Sequence, residues 1–138
     1  EQMMTSPIIH VKRGDTIRHA IKLMRTHDIS QLPVLEGGIQ VGSISEAILM
    51  KKITAGGNVE KLVRSTVERM MEAPFPTVNR DTNAYIVYSI LEHSPAVLVV
   101  DRSRAVGIIT KADVLRLMVK PKHVERGATR KYRDLVKG

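Results

Sequence analysis

The chain has 138 residues, of which 43% are hydrophobic and 26% charged, and its formal net charge at pH 7 is +8. The absence of cysteine excludes disulfides and thiolate chemistry, and no apolar run approaches the roughly 20 residues of a membrane span. Because aromatic residues are only 3% of the chain, we expect a core of Ile, Val, Leu, Met and Ala in one compact unit or two very small ones. Nothing resembles a secretory signal, so a cytoplasmic module is expected, and a start at Glu1 is compatible with a fragment of a longer protein.

The first half of the chain opens with a predicted strand and a predicted helix. Residues 8–11 favour a short strand, and a helix follows to about residue 26, which Asp15 or Thr16 can cap. The apolar positions of this helix recur at the spacing of a single helical face and are Ile17, Ala20, Ile21 and Met24.

A hairpin and two further helices are predicted next. Residues 32–35 and 39–44 favour strands joined by a glycine turn. Ser45 can cap a helix to about residue 53, and the stretch that follows, TAGGN, breaks it. A connecting helix is then expected over residues 59–71.

The second half predicts the same order of elements. Asp81 or Thr82 opens a helix to about residue 92, residues 96–100 form a strand buried on both faces, and residues 105–109 return. A last helix is expected over residues 111–119.

The two halves also repeat in sequence. MTSPIIHVKRGDT at residues 4–16 matches MEAPFPTVNRDT at 71–82, and LPVLEGGIQVGSIS at 32–45 matches VLVVDRSRAVGIIT at 97–110. Each half has too little core to be stable alone, so we expect an α/β (α+β) fold in which the halves pack about a pseudo-two-fold axis. The expected divisions are residues 1–57, 58–119 and a basic tail at 120–138.

The order of these motifs resembles a tandem pair of CBS domains, the module named after cystathionine β-synthase. The resemblance covers roughly residues 1–119 and rests on HDISQLPV and GSIS in the first half and on PAVLVV and GIITKADV in the second. It implies a regulatory, non-enzymatic module, paired as a homodimer, that binds AMP, ADP, ATP or S-adenosylmethionine in a cleft between the repeats. No catalytic cofactor is implied.

The resemblance also implies two crosswise sites. The first places ribose and phosphate on the second repeat and the base on the first repeat, with the ligand-binding residues Thr5, Ile8, Ile9, Ile29, Ser30, Gln31, Leu32, Thr110, Ala112 and Asp113. The mirror site has Ile48 where the first has a carboxylate, and is therefore expected to be altered. Its residues are Ser45, Glu46, Ile48, Phe75, Pro76, Ser94, Pro95 and Ala96.

Each of these residues also has a purely structural interpretation. Thr110 and Asp113 form the pattern of a capping box, in which both side chains bond the first turn of a helix. As ligand residues, they would combine a helix N-terminus that favours anions with a carboxylate able to accept bonds from two ribose hydroxyls. Phe75 can stack on a base or fill a core gap, and the isoleucines can line an adenine slot or the core.

The remaining polar features allow fewer functions. The five histidines show no metal-ligand spacing, and no catalytic Ser/His/Asp group stands out, so we expect neither a metal site nor an enzyme.

Residues 120–138 carry seven basic and two acidic residues. This tail is either a solvated extension or a segment that contacts nucleic acid or a protein partner, and nucleic-acid contact would depend on salt. The alternative functions are thus a nucleic-acid-associated regulator and a ligand-free dimerisation module.

Overall fold

The computed structural model describes residues 8–118, apart from the side chain of Leu117. Thr5 and the basic tail at residues 120–138, both singled out above, lie outside the described residues. The chain contacts divide the described part into two units, residues 9–74 and 75–118. Ile8 groups with the second unit.

The first unit contains four helices and a two-stranded antiparallel sheet. Its core consists of aliphatic side chains from every helix and both strands, including Ile17, Leu32, Ile44 and Val67, all at most 1% exposed. The elements in chain order are α1 (Ile17–His27), β1 (Gln31–Glu36), β2 (Ile39–Ser45), α2 (Glu46–Thr54), α3 (Val59–Arg64) and α4 (Val67–Met70).

The second unit is a three-stranded sheet with a helix after its first and last strands. Strand β3 pairs in parallel with β4, and β4 pairs antiparallel with β5. Its elements are β3 (Thr77–Asn79), α5 (Ala84–Leu91), β4 (Ala96–Asp101), β5 (Arg104–Thr110) and α6 (Lys111–Met118). The prediction of a buried strand over residues 96–100 is confirmed for Ala96 to Val99, which are fully buried, whereas Val100 is half-buried.

The internal repeat is exact in the hairpins. Gln31 lies opposite Ser45 in the first hairpin, and Ala96 lies opposite Thr110 in the second, an offset of 65 residues. The β-bulge is repeated at the same offset, after Val34 and after Val99. The α/β fold predicted from the duplicated motifs is therefore confirmed.

The strand predicted at residues 8–11 is reduced to a single parallel bridge between Val11 and Val34. In the second unit, Leu98 donates its backbone N–H to the carbonyl of Pro76 at 2.9 Å, which extends β3. The residue that matches Leu98 in the first unit is Pro33, which has no N–H to donate. The missing donor explains why the same segment is a strand in one repeat and a bridge in the other.

The connecting helix expected over residues 59–71 is two helices, α3 and α4, interrupted at Ser65 and Thr66. Tertiary hydrogen bonds cause the break. Ile17 donates its N–H to the Ser65 carbonyl at 2.9 Å, and Val67 donates to the Asp15 carbonyl at 2.7 Å. These bonds pull the backbone out of the helical path and attach both short helices to the first unit.

The start of α5 also differs from the prediction. Its N-cap is Asn83, whose side chain accepts from the N–H of Tyr85 at 2.7 Å. The hydroxyl of Thr82 is used in the preceding turn, where it accepts from the N–H of Asn79 at 3.1 Å. In the first unit Thr16 is the N-cap of α1, one of the two residues proposed for that role.

Candidate functional site

The N-terminus of α6 holds the candidate ribose and phosphate residues. Thr110 ends β5 and Asp113 lies in the first turn of α6. The Thr110 backbone N–H donates to Asp113 Oδ2 at 2.9 Å, and the Thr110 hydroxyl donates to the same oxygen at 3.1 Å. In return, the Asp113 N–H donates to Thr110 Oγ1 at 3.3 Å. The pair is thus a capping box in this structure.

The other oxygen of the same carboxylate has a cationic partner. Arg116, one turn further along α6, donates from Nη2 to Asp113 Oδ1. The Asp113 side chain is 21% exposed and that of Arg116 is 58% exposed, so the pair reaches solvent. An exposed ion pair of this kind contributes at most about 1 kcal/mol to stability, and a ligand can therefore replace it at small cost.

The sequence interpretation did not identify this ion pair. The signal was available, because an acidic residue three positions before an arginine on a helix places both side chains on one face. In the structure Lys111 is exposed at the first position of α6, and Ala112 beside it is also exposed.

The matching helix start in the first unit is built differently. Ser45 caps α2 by accepting from the N–H of Ile48 at 3.2 Å, and the N–H of Glu46 donates to the Ser30 carbonyl at 3.0 Å. Ile48 takes the position of Asp113 and packs against the core of the first unit. The carboxylate is therefore replaced by a side chain that anchors the helix, a packing reason for the difference between the repeats.

The base-contact candidates of the first repeat differ in accessibility. Ser30 is exposed, and its hydroxyl donates to the side-chain oxygen of the half-buried Gln31 at 2.8 Å. Ile29 and Ile9 are half-buried against the core of the first unit, whereas Leu32 is fully buried inside it. Ser30 and Gln31 are thus the polar atoms that a ligand can reach directly in this segment.

The candidates of the altered site in the second unit lie just before β3 and at the start of β4. Phe75 is buried, at 6% exposure, while Pro76 and Pro95 are exposed. Ser94 donates its hydroxyl to the carbonyl of Ala96 at 2.9 Å. Ala96 is fully buried, so Pro76, Ser94 and Pro95 supply the accessible surface of this group.

Within residues 8–118, no group of three or more His, Cys, Asp or Glu side chains is arranged to hold a metal ion. In the same part of the chain, no helix is both long and apolar enough to cross a bilayer. The groups at the α6 terminus, a carboxylate, a hydroxyl and a nearby guanidinium, suit the recognition of a polar ligand.

Comparison with known proteins identifies the class to which this architecture belongs. The sequence matches the CBS domain family twice, over residues 1–55 and 67–120. The chain therefore belongs to the CBS domain family and carries two copies of the domain.

Three relatives illustrate the range of the family. The A-adding tRNA nucleotidyltransferase of Geobacter sulfurreducens is 32% identical over 119 residues, which are 84% of this chain and 13% of that protein. The Listeria monocytogenes CbpB protein, solved in complex with c-di-AMP, is 29% identical with a TM-score of 0.67, covering 85% of this chain and 90% of that one. A CBS domain-containing protein of Bacillus anthracis has a TM-score of 0.71 at 24% identity, covering 82% of this chain and 85% of that one, and shows the fold alone.

The chain is short compared with several of the curated proteins that it resembles. It spans between 13% and 33% of the length of four of them. The region similar to this chain is thus one part of each of these longer proteins.

Proposed function

We propose that this tandem CBS module is a non-catalytic regulatory element that binds an adenosine-containing ligand, AMP, ADP, ATP or S-adenosylmethionine. Membership of the family supports the regulatory role. The c-di-AMP complex of the Listeria relative supports the ligand class, because c-di-AMP is built from adenosine nucleotides. The ligand signal passes to an attached or partner protein.

The observation that carries the proposal is the partly exposed carboxylate of Asp113 at the start of α6. Its two oxygens accept bonds from Thr110 and Arg116, which are local and replaceable partners. Two neighbouring ribose hydroxyls can take the places of these donors, and each charge-assisted bond contributes about 1.5–3 kcal/mol. The capping box and the ligand site are therefore two uses of the same atoms.

Arg116 acquires a second role when the carboxylate accepts a ribose. Once it is released from Asp113, its guanidinium can pair with a phosphate held at the N-terminus of α6. S-adenosylmethionine carries a positive sulfonium instead of phosphates and gains nothing from this guanidinium. The arrangement thus favours a nucleotide within the adenosine class.

The remaining residues of the site are assigned from the family resemblance. Ser30 and Gln31 contact the base through their side-chain polar atoms, and Ile29 contributes an apolar side chain, together with Thr5, Ile8, Ile9 and Leu32. The mirror group around Ser45 and Ile48 lacks the carboxylate, so we propose that it does not hold a ribose in the same way.

The test compares two variants that remove a cap from matching positions. Asp113→Ala deletes the carboxylate, and Ser45→Ala deletes the N-cap of α2 while leaving α6 intact. Both lose about 1 kcal/mol of stability as cap deletions. Titration calorimetry with AMP, ATP and S-adenosylmethionine should show AMP or ATP binding to the wild type, weakened roughly tenfold to a hundredfold in Asp113→Ala and unchanged in Ser45→Ala.

Circular dichroism of both variants is needed to confirm that they fold. An Asp113→Ala protein that binds with wild-type affinity would show that the α6 terminus is only a cap. A wild-type protein that binds none of the three ligands would contradict the proposed ligand class.

Binding alone does not regulate a partner. A ligand shifts a conformational equilibrium only when it binds the two states with different affinity. The regulatory part of the proposal therefore requires that ligand binding change the activity or affinity of the partner, and that Asp113→Ala suppress this change while Ser45→Ala preserves it.

A further inference from the structure

Helix α1 carries a stripe of basic side chains, here called the α1 stripe and formed by Arg18, Lys22 and Arg25. All three residues are exposed, and their spacing of four and three places them within about 60° of arc on the helix surface. The stripe extends over about 10 Å, because each residue of a helix rises about 1.5 Å along the axis. The sequence of α1, IRHAIKLMRTH, includes no acidic residue.

The opposite side of α1 fixes how this helix lies on the first unit. Ile17, Ala20 and Met24 are at most 2% exposed and belong to the core of that unit. Their burial holds the basic side chains of the stripe on the solvent side of the helix.

The α1 stripe does not stabilise the helix that carries it. Arg18 lies in the first turn, where the positive end of the helix dipole disfavours a cation. Arg18 and Lys22 are also a like-charge pair four residues apart, which weakens a helix. None of the three stripe residues forms an ion pair with a carboxylate among residues 8–118. Folding therefore gives no reason for the stripe.

The carboxylates near the start of α1 are bound to the backbone of the preceding turn. Asp15 Oδ2 accepts from the N–H of Lys12 at 2.9 Å, and Glu36 Oε2 accepts from the N–H of Arg13 at 3.0 Å. The side chains of Lys12 and Arg13 are themselves exposed and balance these two negative charges. The positive charge of the stripe is thus not compensated by this turn.

The second repeat shows that the fold does not require basic residues at these positions. The matching helices begin at Ile17 in α1 and at Ala84 in α5, an offset of 67 residues. The matching positions of α5 are also exposed and are Tyr85, Ser89 and Glu92. A phenol, a hydroxyl and a carboxylate thus take the places of three cations, so the stripe is a property of the first repeat alone.

The chemistry of the α1 stripe favours one class of partner. Among the described residues, the large apolar side chains that are exposed all lie outside α1, whereas the centre of a protein–protein interface is apolar. A membrane-bound amphipathic helix inserts its apolar face into the lipid, but the apolar face of α1 is part of the core. A nucleic acid needs neither feature, because lysines and arginines along a helix bind its phosphates directly.

We propose that the α1 stripe binds the phosphodiester backbone of a nucleic acid without reading its base sequence. Arg18, Lys22 and Arg25 donate hydrogen bonds to phosphate oxygens and release the counterions that the phosphates hold. The contact lies within the first unit and uses neither the basic tail at residues 120–138 nor the carboxylate of Asp113. It adds a partner to the adenosine ligand of the proposed function and does not depend on that ligand.

The test compares two triple variants of the full chain that lose the same charge. Arg18→Gln/Lys22→Gln/Arg25→Gln removes the stripe. Lys51→Gln/Lys52→Gln/Arg69→Gln is the matched control, since it removes three exposed cations from α2 and α4 of the same unit. Fluorescence anisotropy with a labelled DNA duplex and a labelled single-stranded RNA, both of arbitrary sequence, measures binding over a range of salt concentrations.

The wild type should bind at low salt and lose affinity as the salt concentration rises. On duplex DNA, each lost phosphate contact lowers the slope of log affinity against log salt by about 0.9. The stripe variant should therefore have a slope smaller by about 2–3, and the control variant a slope smaller by less than about 1. Between about 50 and 200 mM salt, the affinity of the wild type should thus fall about 40 times more than that of the stripe variant.

Circular dichroism establishes that both variants are folded, which the exposure of all six residues leads us to expect. An equal loss of affinity in the two variants would overturn the proposal, because net charge alone would then explain the binding. Unchanged binding by the stripe variant would assign the contact to another part of the chain. A wild type that binds neither nucleic acid also contradicts the proposal, and stripe-dependent binding to phosphatidylserine vesicles would then assign the surface to a membrane. No readout uses the adenosine ligand, so the result is separate from that for Asp113→Ala.

Discussion

At the scale of single residues, the two hairpins form the same type of turn from different residues. Gly37 and Gly38 turn the first hairpin with φ values of 60° and 86°, while Arg102 and Ser103 turn the second with 53° and 71°. A positive φ at both positions is the type I′ geometry, which glycine and asparagine adopt with least strain. The backbone of the second hairpin is therefore strained by about 1–2 kcal/mol at each of these two residues.

This difference predicts a stabilising substitution. Arg102→Asn/Ser103→Gly should raise the free energy of unfolding by about 1 kcal/mol, because both residues then suit the left-handed region. Urea denaturation of the purified chain measures the change. The matched control is Gly37→Ala, which introduces the same strain into the first hairpin and should lower the free energy. No gain in the double variant would show that contacts of Arg102 or Ser103 outweigh the strain.

A second residue-scale prediction concerns the close approach at Gly42. Gly42→Ala should cost about 1–3 kcal/mol of stability, since the new Cβ would clash with Met71 and with the Glu72 carbonyl. Adding Met71→Ala should cost less than the sum of the two single substitutions, because it removes one of the two clashes. Gly14→Ala, whose Cβ meets nothing within 4 Å, is the control and should change stability by less than about 0.5 kcal/mol. If the losses of stability in the two single variants simply added up in the double variant, the contact with Met71 would not be a cause of the cost of Gly42→Ala.

At the scale of elements, α3 belongs to the core of the first unit. Leu62 on this helix is 7% exposed and part of the first core, whereas Val59 on the same helix is 53% exposed. Leu62→Ala should therefore destabilise the protein by about 2–4 kcal/mol, and Val59→Ala by less than about 0.5 kcal/mol. Thermal melting of both variants provides the comparison. Equal effects would mean that α3 is a solvated connection and not a structural part of the unit.

The sequence predicted most of these elements because their signals are local. Ser45 as a cap, the hairpin pair and the apolar face of α1 follow from spacing and turn chemistry, and each is present. The break at Ser65 was missed because it depends on hydrogen bonds to Ile17 and Asp15, about fifty residues away in sequence. Pro33, which has no N–H to donate, is the sequence signal for the shortened strand at Val11. This signal could be interpreted only once the strand register was known, because Pro33 and Val11 are far apart in the sequence.

The candidate site shows the same difference between features with a local sequence signal and features that depend on the tertiary structure. The Thr110/Asp113 capping box is a pattern of neighbouring residues and was predicted together with its possible ligand role. The packing of Ile48 was not predicted, since the sequence showed only that a carboxylate was missing. The structure adds the reason: α2 needs an apolar anchor where α6 keeps a charged pair.

At the scale of the whole molecule, the homodimer implied by the family resemblance remains a prediction, and exposed apolar side chains of the second unit suit it. Large apolar side chains on α5 and α6 are each more than half exposed, and they are Tyr85, Ile86, Leu115 and Met118. Burying such side chains against a second copy removes apolar area from water at about 25 cal/mol per Å². Both helices belong to the second unit, which is the basis for assigning the contact with a second copy to this unit.

The dimer prediction is tested by placing a charge on this surface. Ile86→Lys/Leu115→Lys should convert a dimer into a monomer in light scattering coupled to gel filtration, because an unpaired lysine buried at an interface costs several kcal/mol. Ile39→Lys changes an equally apolar side chain, 49% exposed, in the hairpin of the first unit and should leave the dimer intact. A wild-type protein that is monomeric would contradict the prediction. A dimer that survives the double lysine variant would show that the second copy uses another surface.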